Sequence, residues 1–372
     1  MITGALILAL LALIGLHLIT SALAAWRYLR PIPTMPEADL PFVSLVRPVC
    51  GVDRFDPETL GSSFDQDYPD YEILFCAARE DDPAVALVQS LIDAHPEAKA
   101  QLLIGEDYIS ANPKLNNMAK GYHAAQSDLI CITDSNLMLP PDYLRQLMPS
   151  WTPGTGAVSA PAAGNRAENI WGAVECAFLN TNQARWQLAA DSVGLGFAQG
   201  KTLFYSRPVV EAAGGLSVLG REMAEDLATT KLVRGQGLKV SLAQRLFSHP
   251  VGSRSFEQTW NRQLRWSKIR RDGFPLLFLP EILQVFAVPL ILLIALLAMG
   301  AAPLWTLPAL FVIWYGSEYL LARIAGWPTD WRSVVAMPIR DALLPAIWLA
   351  TWGGRDISWR GTHIAASETG HI

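Results

Sequence analysis

Three acidic stations and one basic run carry the residue types that could do chemistry in this chain. Asp81 and Asp82 lie in "EDDP", Asp134 opens "DSN", and Glu225 and Asp226 close "AED". Each one alone reads as a helix cap or a solvated carboxylate. Together, carboxylates at three separate loop positions suit three jobs: hydrogen-bonding a nucleoside, holding a divalent metal on a diphosphate, and taking a proton from an acceptor alcohol. The run "NRQLRWSKIRR", residues 261–271, adds five Lys and Arg side chains and Trp266. On a helix, Arg262, Arg265 and Trp266 share one face. Guanidinium forks chelate phosphate oxygens, and an indole can cover a diphosphate or a sugar while donating one N–H. The same residues also suit an interfacial helix anchored at head-group level, and spacing leaves both readings open.

These residues have to be positioned by a folded domain. From residue 41 short apolar runs alternate with helical ones: "PFVSLVRPV", a helix near 56–66, "YEILFCAA", a helix from Pro83, "AQLLIGE", a helix from Asn116, then "DLICITD". Strands separated by helices predict βαβ units and a mostly parallel sheet. The unbroken apolar run "LICIT" fits a strand covered on both faces. Ligands of open α/β sheets sit beyond the carboxyl ends of the strands, and Asp134 stands at one. "GLGFAQGKT", 194–202, imitates a nucleotide loop but fails the test. Leu195 occupies a required Walker glycine, Gln199 occupies the third dinucleotide glycine, and a glycine-permitted turn is the better reading. The helical stretch 168–190 reads either as a second interfacial element, with Trp171, Phe178 and Trp186 against lipid, or as a core helix on the sheet.

The 372 residues are 51% hydrophobic and carry a formal net charge of −5, which excludes general nucleic-acid binding because phosphate backbones need an excess of Lys and Arg. Four cysteines without a Cys-x-x-Cys pair point to neither a zinc site nor a disulfide framework. Residues 2–25 lack formal charge and are long enough to cross a hydrocarbon core, so they read as an uncleaved anchor, with Arg27 and Arg30 marking the cytoplasmic side. Apolar runs at 282–302 and 304–322, joined by "AAPLW", predict a membrane hairpin. Glu318 inside the second run needs a partner, and Arg340 is the preferred one. "SVVAMPIRDALLPAIWLATW", 333–352, is interrupted by Pro338, Arg340, Asp341 and Pro345. It reads as re-entrant or interfacial, with a tilted full span as the alternative, and the former keeps Arg355 and Arg360 on the cytoplasmic side.

Asp82, Asp134, Asp226 and "RQLRW" at 262–266 resemble the ordered D, D, D, (Q/R)xxRW pattern of inverting nucleotide-sugar glycosyltransferases with a GT-A fold. "GVD" at 51–53, "DYPDYEILFC" at 67–76, "DDP" at 81–83, "NPKLNN" at 112–117, "AED" at 224–226 and "ISWR" at 357–360 narrow the resemblance to the ceramide glucosyltransferase family, from about residue 41 to the tail. Arginine at 262 is the form of that lipid-modifying branch. The resemblance implies an α/β GT-A domain, Rossmann-like and mostly parallel, lying in the cytosol with transmembrane and interfacial amphipathic helices. It implies an anchor at 1–26, a catalytic domain at 27–278 that includes an interfacial helix at 256–271, a hairpin at 279–325, and a membrane-associated segment with a cytosolic tail at 326–372. UDP-glucose would be the donor and ceramide or a related lipid the acceptor, at a bacterial inner membrane, with other UDP-sugars and diacylglycerol or hopanoid acceptors as alternatives. Asp226 would be the base, Asp134 would hold Mg²⁺ or Mn²⁺, and Arg262, Arg265 and Trp266 would grip the diphosphate. Asp81 and Asp82 would meet the nucleoside, with Lys114, Asn116 and Asn117 completing its pocket. Asn136 stands where many members carry a second acidic residue, and "TNQARW" around 183 stands where animal members tend to carry a histidine.

Overall fold

The computed structural model describes residues 1–354 and, as backbone, the antiparallel strands Ile357–Trp359 and Thr362–Ile364. Arg355 and Arg360, and with them the side chains of "ISWR", lie outside the described residues. Among the described residues the chain divides into two units, one built from residues 31–162 and 193–250, the other from residues 1–30, 163–192 and 251–354.

The first unit is built on a seven-stranded sheet. Its strands are β1 (Val43–Val49), β2 (Tyr71–Ala77), β3 (Ala100–Ile104), β4 (Leu129–Thr133), β5 (Thr155–Ser159), β6 (Thr202–Ser206) and β7 (Lys239–Leu242), in the order β3-β2-β1-β4-β6-β5-β7. Pairs β1–β2, β2–β3, β1–β4 and β5–β7 are parallel, while β6 runs antiparallel to both neighbours. The mostly parallel sheet read from the alternating pattern is therefore present, with one reversed strand. The chain steps outward from β1 to β3 and then returns to place β4 on the other side of β1, which opens a crevice at the carboxyl ends of β1 and β4. All seven residues of β1 are buried, as a strand covered on both faces requires.

Helix Pro113–Ala124 packs on this sheet through Leu115, Met118, Ala119 and Tyr122, which share a core with Val46, Leu74 and Cys76. Asn112 starts it by accepting from the Lys114 and Leu115 amides, with Pro113 in the first turn. The helix comes close to the strands at Gly121, where a Cβ would lie 2.6 Å from both Cys76 Sγ and Val46 Cγ1. Gly121→Ala should therefore force this helix off the sheet and destabilise the unit by about 1–3 kcal/mol, read as a lower melting temperature in detergent. An unchanged melting temperature would show that the strands yield without cost.

The second unit is helical. Ile2–Leu29 forms one helix, and with Trp331–Ala350 it is long and apolar enough to cross a membrane. Leu8, Leu11 and Ile19 on the first helix are exposed, an uncovered apolar face of the kind that lipid covers. Two expectations need correction here. Pro338 and Pro345 do not divide the last apolar segment; Trp331–Ala350 is one continuous helix of 20 residues. Apolar surroundings tolerate helix proline where neighbouring groups satisfy the freed carbonyls. In the region of the predicted hairpin, Pro275–Gln284 and Ala287–Ala298 meet at a bend of 48°, and Thr306–Ala325, carrying Glu318 and Arg323, follows as a helix of 20 residues. Lastly, Phe178 does not face lipid. It is buried with Val174, Ala336 and Ile347, because the stretch read as one helix is a helix Ile170–Ala177, a π turn Phe178–Ala184 and a helix Arg185–Ser192 packed within this unit.

Glu318 is paired as the sequence reading preferred. Arg340 Nη2 lies 3.0 Å from Glu318 Oε1 and 2.8 Å from Asp341 Oδ1, and Arg340 Nη1 donates to Thr181 Oγ1 at 2.6 Å.

Candidate active site

Lys114 is the hub of the sheet unit's carboxyl edge. Its Nζ lies 2.6 Å from Asp134 Oδ1 and 2.7 Å from Glu225 Oε1, and it donates to the Gly200 carbonyl at 2.9 Å. Helix Pro113–Ala124 sets this position, since Lys114 is its second residue and the capping Asn112 also donates to Glu225 Oε2 at 3.1 Å. A second ammonium, Lys201 Nζ, lies 3.1 Å from Asp134 Oδ2 and donates to Asn136 Oδ1 at 2.7 Å. Burial works against both the charge on Lys114 and the charge on Asp134, but opposite charges at these distances outweigh it. The Lys114 pKa is held above the usual lysine range, and that of Asp134 is held well below the usual carboxylate range.

The turn that imitated a nucleotide loop turns out to serve this cluster. Gly200 N–H donates to Asp226 Oδ2 at 2.9 Å, and a Cβ at Gly200 would sit 2.9 Å from Glu225 Oε1 and 3.2 Å from Lys114 Nζ. Glycine is needed there because the charged groups close directly onto the backbone. Asp226, in the first turn of helix Glu225–Gly235, also accepts from the Leu227 amide at 2.7 Å, where the helix N-terminus favours negative charge. Among the described residues Asp226 forms no ion pair, whereas its neighbour Glu225 is taken by Lys114. Burial first, and then the adjacent Glu225 charge, raise the Asp226 pKa to about 6. Of these carboxylates, Asp226 is therefore the one suited to accept a proton near neutral pH.

The loop carrying Asp134 is braced from β1. Arg47 Nη2 donates to the carbonyls of Thr59, Ser135 and Leu137, and Thr59 Oγ1 donates to Ser135 at 2.6 Å. His249 lies alongside, with Nδ1 2.9 Å from the Asn136 carbonyl. Among the described residues no three His, Cys, Asp or Glu side chains converge into a ligand group. A divalent cation arriving with phosphate oxygens and water needs only one or two carboxylates, and one at Asp134 would share it with Lys114 and Lys201, whose Nζ atoms lie 2.6 and 3.1 Å from its two oxygens. Asp134 would supply the carboxylate.

The remaining predicted residues divide. Asp82 caps helix Pro83–Ala94 through the Ala84 amide and accepts from Gly51 N–H at 2.9 Å, so it ties the loop after β1 to the loop after β2. Asn117 donates to the Val49 and Cys76 carbonyls and locks the ends of the same two strands. Asn116 shapes a neighbouring loop. Its oxygen accepts from Ile109 and Ser110, and its nitrogen donates to Glu106 and Ser110, which uses its amide fully to shape the 106–112 loop. Asp81 stands 71% exposed in a pair with Arg79 at 2.7 Å.

In the helical unit, Phe256–Gly273 is one helix begun by a Ser255–Gln258 capping box. The Arg262 guanidinium lies 5.9 Å from the Trp266 ring centroid, so these two do share a face, and Trp266 packs on the cluster of Cys176, Leu179 and Val251. Arg265 is half-buried on the same helix. On the same helix Arg270 pairs with Glu281 at 3.0 Å, and Arg271 is buried against Asp272 and the Thr351 carbonyl. Lys201, Glu175 and His249 were missed in the sequence. The "QGK" lysine offered the only local signal, since the partners of all three lie far away along the chain.

A mostly parallel sheet with one reversed strand, whose carboxyl edge gathers Asp134, Lys114 and the Glu225–Asp226 pair, has GT-A-like glycosyltransferase architecture. It resembles the mannosyltransferase PcManGT from Pyrobaculum calidifontis, solved in complex with GDP-Man and Mn²⁺, with a TM-score of 0.55 and 16% identity over 91% of this chain and 99% of that one. The chain belongs to glycosyl transferase family 21, whose profile it matches over residues 6–372. It is 31% identical over 256 residues to ceramide glucosyltransferase 1 of Caenorhabditis elegans, covering 67% of this chain and 54% of that protein. It is 27% identical over 348 residues to ceramide glucosyltransferase 3 of the same organism, covering 88% of this chain and 74% of that protein. The chain thus spans about half the length of the first of these relatives.

Proposed function

We propose that this chain is an inverting glucosyltransferase that moves glucose from UDP-glucose to the primary hydroxyl of ceramide, at the cytoplasmic face of a bacterial inner membrane. The observation that carries this reading is Asp226, which among the described residues forms no ion pair, whose pKa burial raises to about 6, and which is held beside the Lys114–Asp134–Glu225 cluster in a chain of this family. Asp226 takes the hydroxyl proton as the acceptor oxygen bonds to the anomeric carbon, the bond from that carbon to the UDP oxygen breaks, and UDP departs with its electrons. A single displacement inverts the anomeric centre. Arg262, Arg265 and Trp266 bind the diphosphate and stabilise charge on the leaving group. Asp82 contacts the nucleoside, and Lys114 holds Asp134 and Glu225 in place. A divalent cation on Asp134 would offset the same leaving-group charge. The family's ceramide glucosyltransferases support the choice of substrates.

The test is to incubate the purified chain with UDP-glucose, UDP-galactose, UDP-glucuronic acid and UDP-N-acetylglucosamine against ceramide, diacylglycerol and a hopanoid, reading products by mass spectrometry. Hexosylceramide from UDP-glucose supports the reading. Product on another lipid would retain the chemistry and replace the acceptor, and no transfer from any donor would refute it. EDTA should suppress the reaction and Mg²⁺ or Mn²⁺ should restore it; full activity in EDTA would remove the cation from Asp134.

A further inference from the structure

The arginine assigned to the diphosphate is itself held by a buried carboxylate. Glu175, on helix Ile170–Ala177, is 1% exposed, and each of its oxygens faces the helix Phe256–Gly273. Arg262 Nη1 lies 3.1 Å from Glu175 Oε1, and Gln263 Nε2 donates to Glu175 Oε2 at 3.2 Å. Gln183 Nε2 donates to Gln263 Oε1 at 2.9 Å, which fixes which end of the Gln263 amide points at Glu175. Adjacent residues of one helix are thus clamped from below by a single carboxylate whose second partner is itself locked.

The backbone between Glu175 and Gln183 explains how both reach the same target. At about 100° per residue, positions eight apart on an α-helix are about 80° out of register. Gln183 lies within the π turn Phe178–Ala184, whose looser i→i+5 winding takes up that rotation. The irregularity therefore places Gln183 over the same amide that Glu175 receives.

We infer that Glu175 is a positioning residue for Arg262, aiming its guanidinium fork while leaving the remaining N–H groups for the donor diphosphate, and that the π turn is retained to let Gln183 lock this arrangement. The ion pair uses one terminal nitrogen of a group with five N–H donors, so the arginine is oriented without being consumed. The inference rests on the reading that Arg262 binds the diphosphate.

The experiment measures KM for UDP-glucose, KM for ceramide, kcat and inhibition by UDP in the full-length chain for Glu175→Gln, Glu175→Ala, Arg262→Ala and the double variant E175A/R262A. Misplacing one binding group commonly costs one to two orders of magnitude, so E175A should raise the UDP-glucose KM and the UDP inhibition constant about tenfold while ceramide KM stays level. Glu175→Gln keeps the side-chain volume and an acceptor oxygen and should show a smaller rise, which covers the case in which E175A does not fold. In the R262A background E175A should have no additional effect on UDP. A wild-type UDP-glucose KM in E175Q and E175A beside a raised one in R262A overturns the positioning role alone, as does an E175A effect of equal size in the R262A background. If R262A leaves UDP-glucose KM and UDP inhibition unchanged, both the diphosphate reading and this inference fall.

Discussion

Asp226→Asn should reduce glucosyl transfer by about 10²–10⁴-fold with little change in UDP binding, the range that removal of a general base produces. The amide keeps the size of the side chain but only one acceptor oxygen, so it retains the bond from either Gly200 or Leu227 and loses the other together with the proton acceptor; unchanged UDP binding is the check that the cluster remains assembled. The wild-type pH profile checks the same assignment. A base works in its ionised form, and burial followed by the Glu225 charge raise the Asp226 pKa to about 6. Activity should therefore fall as pH drops through about 6 and level off above it. An acidic limb centred near 4, or an Asp226→Asn variant that keeps wild-type kcat, would move the base to another residue.

Arg340→Leu should be the most damaging change in the helical unit. Arg340 is 1% exposed and is paired with Glu318 and Asp341, which are also buried, so truncation leaves two carboxylates facing each other without their cation. Breaking such a buried pair costs about 3–5 kcal/mol, because the uncompensated charge remains inside. The measurement is thermal unfolding in detergent. A large fall in melting temperature is expected, and replacing all three groups together (Arg340→Met, Glu318→Gln, Asp341→Asn) should recover much of it. A wild-type melting temperature for Arg340→Leu would mean that water or lipid already serves these carboxylates.

The alternating apolar runs were sufficient to anticipate the sheet, because a strand buried on both faces leaves a continuous apolar trace such as "LICIT". Asp134 at the end of that strand and the shared face of Arg262 and Trp266 were legible for the same reason, being set by local periodicity. The pairing of Glu318 with Arg340 was legible because charge in an apolar helix needs a partner. The remainder depends on contacts that no local spacing records. Lys201 reaches Asp134 from a turn that looked like a failed nucleotide loop, and Glu175 sits in an apolar helix that reads as core. Asn116 and Asn117 carry a recognisable motif, but the loop and strand-end carbonyls that their amides meet are not recorded in it. The π turn at 178–184 has no composition of its own, whereas the 48° bend near residue 285 lies four residues before Pro289, which cannot donate to the Val285 carbonyl.

Direct inversion at the anomeric carbon is the central claim, and proton NMR of the purified glycolipid tests it most directly. With UDP-α-glucose and ceramide as substrates, the account predicts glucosylceramide whose anomeric coupling is that of a β-linkage. An α-linked product would contradict it, because retention requires a second displacement for which the proposed roles of Asp226, Asp134 and Arg262 make no provision.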